Sequence, residues 1–275
     1  MPAGEAGSRI RKQELRTMRK KYFFFDIDGT LTDRSNGQIV PSAREALDKL
    51  RRAGHFVAIN TGRAHYKARK FFDQHGFDNM VCNGGMGIVI NRELVENRPL
   101  DFEKALWLYN YCVDHGIGVL AAMDDSEKVY ARDFTFYDQI GIRREPTIYI
   151  IDPGFDPAEM GAIYKLYTAT TEERRKALPF PEELGYVNFE PDYTIVQHDD
   201  KRAGIYRMLE LTGGTPEDVI VFGDDTNDLD MFAPEFYSVA MGNGHPDLKA
   251  AADEVAPANI EDGIYRVCEA HGWFG

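Results

Sequence analysis

The sequence predicts an α/β protein, a parallel sheet flanked by helices and interrupted by a second domain. Three observations carry this. Near both ends, short apolar runs alternate with amphipathic stretches, the pattern of strands joined by helical crossovers. Between about residues 83 and 197 the strand signals change to alternation, as in 118–123, 147–151 and 193–197, which suggests antiparallel strands with one exposed face. The first style then returns after Lys201, so the middle reads as an insertion. The expected division is a polar tail over 1–20, a core made of 21–82 and 198–275, and an inserted domain over 83–197.

The elements follow in order. Tyr22-Phe23-Phe24-Phe25-Asp26-Ile27 reads as a buried first strand. Pro41-Ser42-Ala43-Arg44-Glu45 opens a helix in which Ser42 can cap and Glu45 can reach back, a capping box. Ala43, Ala46, Leu47 and Leu50 fall on one face, and Gly54 ends the helix. A strand over 55–61, a helix over about 64–75 and a strand over about 80–82 come next. Within the insertion the clearest helix is 102–114. Beyond it come a helix over 201–211 with Ile205, Met208 and Leu209 inward, strands over 218–223 and 237–241, and an Ala-rich helix near 247–252.

Bulk properties narrow the function. The chain has 275 residues, 43% hydrophobic and 28% charged, enough for a core. A net charge of −13 argues against nucleic acid as a general partner, since phosphate backbones need basic patches. The first 21 residues are the exception, with seven basic and two acidic side chains. They lack the apolar run of a secretory signal and read as a polar tail, with a short helix over about 10–20 and a second candidate start at Met18. No window approaches about 18 consecutive apolar residues, so no membrane span is expected. Cys82, Cys112 and Cys268 form neither a metal spacing nor a disulfide framework, which points to a reducing compartment, the cytoplasm.

Four motifs carry chemistry. The first is Asp26-Ile27-Asp28-Gly29-Thr30-Leu31-Thr32. Two aspartates two apart at the end of an apolar strand leave it on the same side. They meet solvent at the carboxyl edge, where open α/β sheets place their sites. Carboxylates so close repel unless a cation sits between them. Mg²⁺ suits them, as a hard ion that takes a few carboxylate oxygens plus water and phosphate. Gly29 and Thr30 can turn backbone N–H groups toward a phosphate. The plainer alternative is a capped turn after a strand.

The second motif, Asn60-Thr61-Gly62-Arg63, places a hydroxyl between a strand and a helix, where it can bind phosphate or merely cap. The third is Lys201, a cation at a helix start, which the helix dipole disfavours unless an anion is near. The plainer reading is a solvated lysine. The fourth, Gly223-Asp224-Asp225-Thr226-Asn227-Asp228, offers several oxygen ligands at another strand end, or an Asx-rich helix entry. All four fall at strand ends or helix starts of the parallel core, so they converge on one edge.

In this order and spacing the motifs resemble the haloacid dehalogenase superfamily, and within it the Cof-type branch of sugar-phosphate phosphatases. The 23-residue step from Lys201 to Asp224 matches that branch. So do Asn83-Gly84-Gly85, Ala240-Met241-Gly242-Asn243, Lys249-Ala250-Ala251-Ala252-Asp253 and Asp262-Gly263. The similarity spans about residues 20–270. It departs at Arg202, where glycine is usual, and in Gln197-His198-Asp199-Asp200, which lacks the usual proline and glycine.

The resemblance implies a Rossmann-like parallel-sheet core with an inserted α/β cap domain. It implies that Asp26 is the nucleophile that becomes phosphorylated, and that Asp28 is the general acid and then the base. Mg²⁺ would be held by the carboxylates of Asp26 and Asp224 and the backbone carbonyl of Asp28, with Asp228 completing the metal surroundings. Thr61, Gly62, Lys201 and Asn227 would grip the phosphoryl oxygens. The partner is a small phosphorylated metabolite, and oligomeric state stays open. The alternative is a phosphomutase of the phosphomannomutase type, which would need a bisphosphate activator. A dehalogenase needs no acid two residues after its nucleophile, so Asp28 argues against one. The joint presence of Asp26, Asp28, Lys201 and Asp224 argues against an inactive binding protein.

Overall fold

Fourteen strands fall into two sheets in a computed structural model that describes residues 19–143, 147–188 and 190–275. In chain order they are β1 (Tyr22–Phe25), β2 (Phe56–Asn60), β3 (Asn79–Cys82), β4 (Gly87–Ile90), β5 (Glu93–Asn97), β6 (Val119–Ala122), β7 (Lys128–Ala131), β8 (Ile148–Ile151), β9 (Lys165–Thr168), β10 (Tyr186–Val187), β11 (Thr194–Val196), β12 (Val219–Gly223), β13 (Tyr237–Ala240) and β14 (Glu254–Val255). The helices are α1 (Pro41–Arg52), α2 (His65–Gln74), α3 (Phe102–Asp114), α4 (Thr135–Ile140), α5 (Glu172–Lys176), α6 (Lys201–Thr212), α7 (Pro246–Ala251) and α8 (Gly263–Ala270).

The first sheet has the order β14-β13-β12-β1-β2-β3-β4-β5 and is parallel from β14 to β3. Its central strand explains the unbroken aromatic run. Phe23 and Phe25 pack on one face with Leu47 of α1, Phe72 of α2 and Ile264 of α8. Tyr22 and Phe24 pack on the other with Ile205, Met208 and Leu209 of α6. A sheet covered on both faces has no use for alternation. This is the Rossmann-like core.

The second sheet has the order β10-β11-β9-β6-β7-β8 and is antiparallel except between β7 and β8. That parallel pair departs from the expected antiparallel pattern because α4 supplies the crossover between the two strands. One face of the sheet is the domain's own core. Ala121, Leu166 and Val196 share a row there and cluster with Leu108 and Cys112 of α3. The opposite row, with Ala122, Lys165, Tyr167, Ile195 and Gln197, faces a cavity shared with the first sheet.

Two expectations need correction. Residues 87–97, placed by sequence in the insertion, form β4 and β5 at the edge of the first sheet. Asn83, Gly84 and Gly85 all have positive φ, so the chain reverses and β4 pairs back on β3. Asn91 and Arg92 then make a two-residue hairpin, both with positive φ. The capping box at Ser42 and Glu45 does not form either. Pro41 occupies the first turn, Val40 is the N-cap, and the Ser42 hydroxyl is buried without a partner. The expected tail helix over 10–20 and the Met18 start lie essentially outside the described residues. Arg19 and Lys21 pair with Asp218 at 2.7 and 2.9 Å. Among the described residues no helix is long and apolar enough to cross a membrane.

The two segments that join the sheets lie side by side. His198 Nε2 is 2.9 Å from the Pro99 carbonyl, and the Asp200 N–H donates to the Gly84 carbonyl at 2.9 Å. A Cβ on Gly84 would stand 1.8 Å from the His198 oxygen, and one on Gly85 would stand 1.8 Å from the Asp200 oxygen. The double glycine is therefore required by the close passage of the second connection.

Candidate active site

Asp26 follows β1 at the carboxyl edge and is buried, as is Ile27 between the two aspartates. Its Oδ2 accepts from the Asp28 N–H at 2.9 Å, and its Oδ1 lies 2.7 Å from Lys201 Nζ. The loop then turns tightly at Gly29, with φ +97°, where a Cβ would come within 2.2 Å of Asp224 Oδ2. Only glycine lets this loop approach the end of β12 so closely. Thr30 Oγ1 donates to Asp224 Oδ1 at 2.8 Å and completes the junction.

Lys201 is the first residue of α6, yet it is fully buried. Its ammonium bridges Asp26 and Asp228 Oδ1, the latter at 2.6 Å. Asp228 Oδ2 meanwhile accepts from the N–H groups of Asp224 and Asp225 at 2.9 and 3.1 Å. This is the Asx-rich helix entry the motif suggested, but it also aims the second oxygen at Lys201. The cation at the helix start thus has its anions, two buried carboxylates.

The electrostatics are those of crowded charge. Burial pushes the Asp26 carboxyl up to about 7; Lys201 opposes the shift, while Asp228 and Asp224 add to it. Burial also raises Asp224, against the pull of the Thr30 hydrogen bond and Arg34. Burial works against the Lys201 ammonium, but Asp228 and Asp26 outweigh it and hold its pKa above the ordinary value. One carboxylate oxygen from each of Asp26, Asp224 and Asp228 lies within 4.8 Å of the other two. Arg34, 59% exposed, reaches in to Asp224 Oδ2 at 2.7 Å and Asp225 Oδ2 at 3.2 Å. A place that draws in a surface guanidinium is one that calls for positive charge.

The Asp28 carboxylate stands outside that cluster. It is 60% exposed and held by Arg63, with Nη2 2.6 Å from Oδ1 and Nε 3.1 Å from Oδ2. Thr61 follows β2 and is buried, its hydroxyl accepting from the Arg63 N–H at 3.2 Å. Asp26, Asp28, Thr61, Gly62 and Asn227 line one cavity of about 540 Å³. Lys201, Asp224 and Asp228 sit directly behind them through the bonds just given.

The roof of this cavity comes from the second sheet, and none of it is evident in the sequence. Lys165, Tyr167, Tyr193, Ile195, Gln197 and Arg143 contribute to it. Lys165 Nζ donates to Gln197 Oε1 at 2.6 Å. The β6–β7 loop also touches the core. Asp125 Oδ1 accepts from the Tyr66 N–H at 2.9 Å, and Oδ2 lies 2.5 Å from His65 Nδ1. Helix α2 has no side-chain cap of its own, with Ala64 at the N-cap, so a carboxylate of the second unit caps a helix of the first. That missing local cap is the one sequence signal that could have pointed to the contact.

Comparison with known proteins agrees with this geometry. Residues 23–268 match the family described as haloacid dehalogenase-like hydrolase. The chain is similar to YkrA of Bacillus subtilis, which carries a phosphatase name, with 30% identity over 251 residues, 90% of this chain and 96% of that one. It is similar to the pyridoxal phosphate phosphatase YbhA of Escherichia coli, with 27% identity over 92% of this chain and 99% of that one. A crystal structure of a hypothetical protein from Geobacillus kaustophilus superposes with a TM-score of 0.76 at 28% identity, covering 93% of this chain and all of that one. The chain belongs to the haloacid dehalogenase-like hydrolases, and within them to the Cof-type phosphatases.

Proposed function

We propose that the protein hydrolyses small phosphate monoesters, sugar phosphates first, through an aspartyl-phosphate on Asp26 and with Mg²⁺ as cofactor. The observation that carries this is the Asp26 carboxylate at the cavity floor, held between Lys201 and the Asp28 N–H. Asp26 attacks phosphorus while Asp28 gives a proton to the leaving oxygen. Asp28 then takes a proton from water, the water oxygen attacks phosphorus, and phosphate leaves with Asp26 restored. Thr61, Gly62, Asn227 and Lys201 hold the phosphoryl oxygens. The Arg63 pair holds the Asp28 carboxylate at the cavity, where it can meet the leaving oxygen and then the attacking water.

The donor set fits a hard dication, being all oxygen, buried and within 4.8 Å. Asp26, Asp224 and Asp228 would hold Mg²⁺ beside the Asp28 main chain, and Arg34 would yield its place at Asp224. Bound there, the ion lowers the repulsion between Asp26 and an anionic phosphate. The name of the YbhA relative makes pyridoxal phosphate a compound to assay beside the sugar phosphates. Buried free thiols at Cys82, Cys112 and Cys268 support a cytoplasmic location.

Borohydride reduction during turnover tests the reaction directly. An acyl phosphate on Asp26 would be reduced to homoserine at position 26, and only when substrate is present. Homoserine at another aspartate, or none in a protein that is turning over, would mean that another group attacks phosphorus. Activity that depends on an added sugar bisphosphate would favour the phosphomutase.

A further inference from the structure

The roof holds a charge that the chemistry at Asp26 does not use. Arg143 lies between α4 and β8 and is 5% exposed. Its guanidinium carbon sits 3.4 Å from the ring centre of Tyr167 and 5.9 Å from that of Tyr193. Nε and Nη1 are buried with no hydrogen-bond partner, and no ion pair among the described residues includes Arg143. Three of the acids around the cavity are engaged elsewhere. Asp28 pairs with Arg63, Asp225 with Arg34, and Asp125 with His65 and the Tyr66 N–H. Stacking on tyrosine offsets part of the cost of burying a guanidinium. It uses the flat face and leaves Nε and Nη1 unsatisfied, beyond what the Tyr193 and Tyr167 hydroxyls supply to the cation, which is costly unless an anion meets them.

Arg143 lines the same cavity as Asp26, Asp28 and Thr61, on the opposite wall. The fork of in-plane N–H donors on a guanidinium matches the paired oxygens of a carboxylate or phosphoryl group. The tyrosine fixes the plane of that fork. We propose that Arg143 is a binding site for a second anionic group of the substrate, a carboxylate or a second phosphoryl group, remote from the phosphate ester that meets Asp26. The inference rests on the phosphatase reading and narrows it to esters that carry charge at both ends.

The test uses the full-length protein and two matched pairs. 3-Phosphoglycerate against glycerol 3-phosphate exchanges a carboxylate for a hydroxymethyl group. Fructose 1,6-bisphosphate against fructose 6-phosphate exchanges a second phosphate for a hydroxyl. Wild-type kcat/KM should favour the doubly anionic member of at least one pair by about tenfold or more, and the favoured pair identifies the group. Arg143→Gln should erase that preference through KM, and Arg143→Lys should keep part of it. Each ratio is taken within one preparation, so partial unfolding lowers both rates and leaves the ratio unchanged. Equal wild-type values in both pairs, or an unchanged ratio in Arg143→Gln, overturns the proposal. If none of these esters is turned over, the comparison moves to binding, and if 4-nitrophenyl phosphate is not turned over either, the phosphatase reading fails. Calorimetric titration with the same four ligands then decides on Arg143. Tighter binding of an anionic member, lost in Arg143→Gln, supports the site, and equal binding refutes it.

Discussion

The floor and the roof of the cavity are built in opposite ways. The floor groups Asp26, Thr61, Lys201 and Asp224 each come from a strand end or a helix start of the core, and hydrogen bonds hold them. The roof groups Lys165, Tyr167, Tyr193 and Ile195 come from the face of a different sheet and are spaced by strand pairing. The floor is thus constrained charge by charge, because each carboxylate needs its own counter-charge or N–H. The roof is constrained mainly as a surface, with Lys165 tied to Gln197 and Arg143 stacked on Tyr167. Chemistry common to a family belongs on the first kind of wall and substrate choice on the second.

If the floor performs the chemistry, the largest loss should follow Asp26→Asn. Turnover should fall by about 10⁴-fold or more while circular dichroism stays native. Because the fold raises the Asp26 pKa, its ionisation works against folding from the ordinary carboxylate range up to about pH 7. In metal-free protein the melting temperature of Asp26→Asn relative to wild type should therefore rise across that window. A pH-independent difference would show that Asp26 is not held against ionisation. Chelation comes next and should abolish turnover, with added Mg²⁺ restoring it. Full activity in excess chelator after dialysis would remove the metal from the account.

Smaller effects belong to the joints between floor and roof. Gly84→Ala places a side chain where the His198 carbonyl lies, at φ +58°. It should destabilise the protein by roughly 2 kcal/mol or more in denaturant unfolding. A near-neutral effect would mean that the second connection can shift. Asp125→Ala removes the cap of α2 and the His65 pair, and should cost about 1 kcal/mol. It should also lower kcat/KM for a large substrate more than for a small one, since the roof then closes less firmly. Equal losses for both would make the contact purely structural.

The same contrast explains what the sequence discloses. Asp26 and Asp28, Thr61, and Asp224 to Asp228 are legible because each motif is local and ends an apolar run. Lys201 is legible as an anomaly, a cation where a helix dipole resists one. Arg63 stands within a recognised motif, yet its pairing with Asp28 spans 35 residues and has no local sign. The β4–β5 hairpin is hidden because Asn91-Arg92 lacks the glycine that usually marks such a turn. The capping box at Ser42 misleads because Pro41 starts the helix two residues before that cap would allow. Alternation over 118–123 and 193–197, where β6 and β11 form, separates two faces but cannot say which faces the core. That depends on which row α3 covers, here the row of Ala121, Leu166 and Val196.

The most direct measurement compares selectivity between the two walls. kcat/KM is determined for a sugar phosphate and for 4-nitrophenyl phosphate in Thr61 and Asn227 variants of the floor and in Lys165, Tyr193 and Ile195 variants of the roof. Floor variants should lower both values in parallel, because they act on the phosphoryl group that the substrates share. Roof variants should change the ratio of the two, acting mainly on the sugar phosphate. If natively folded roof variants lowered both values in parallel, the second sheet would be structural support alone, and the division between chemistry below and choice above would be wrong.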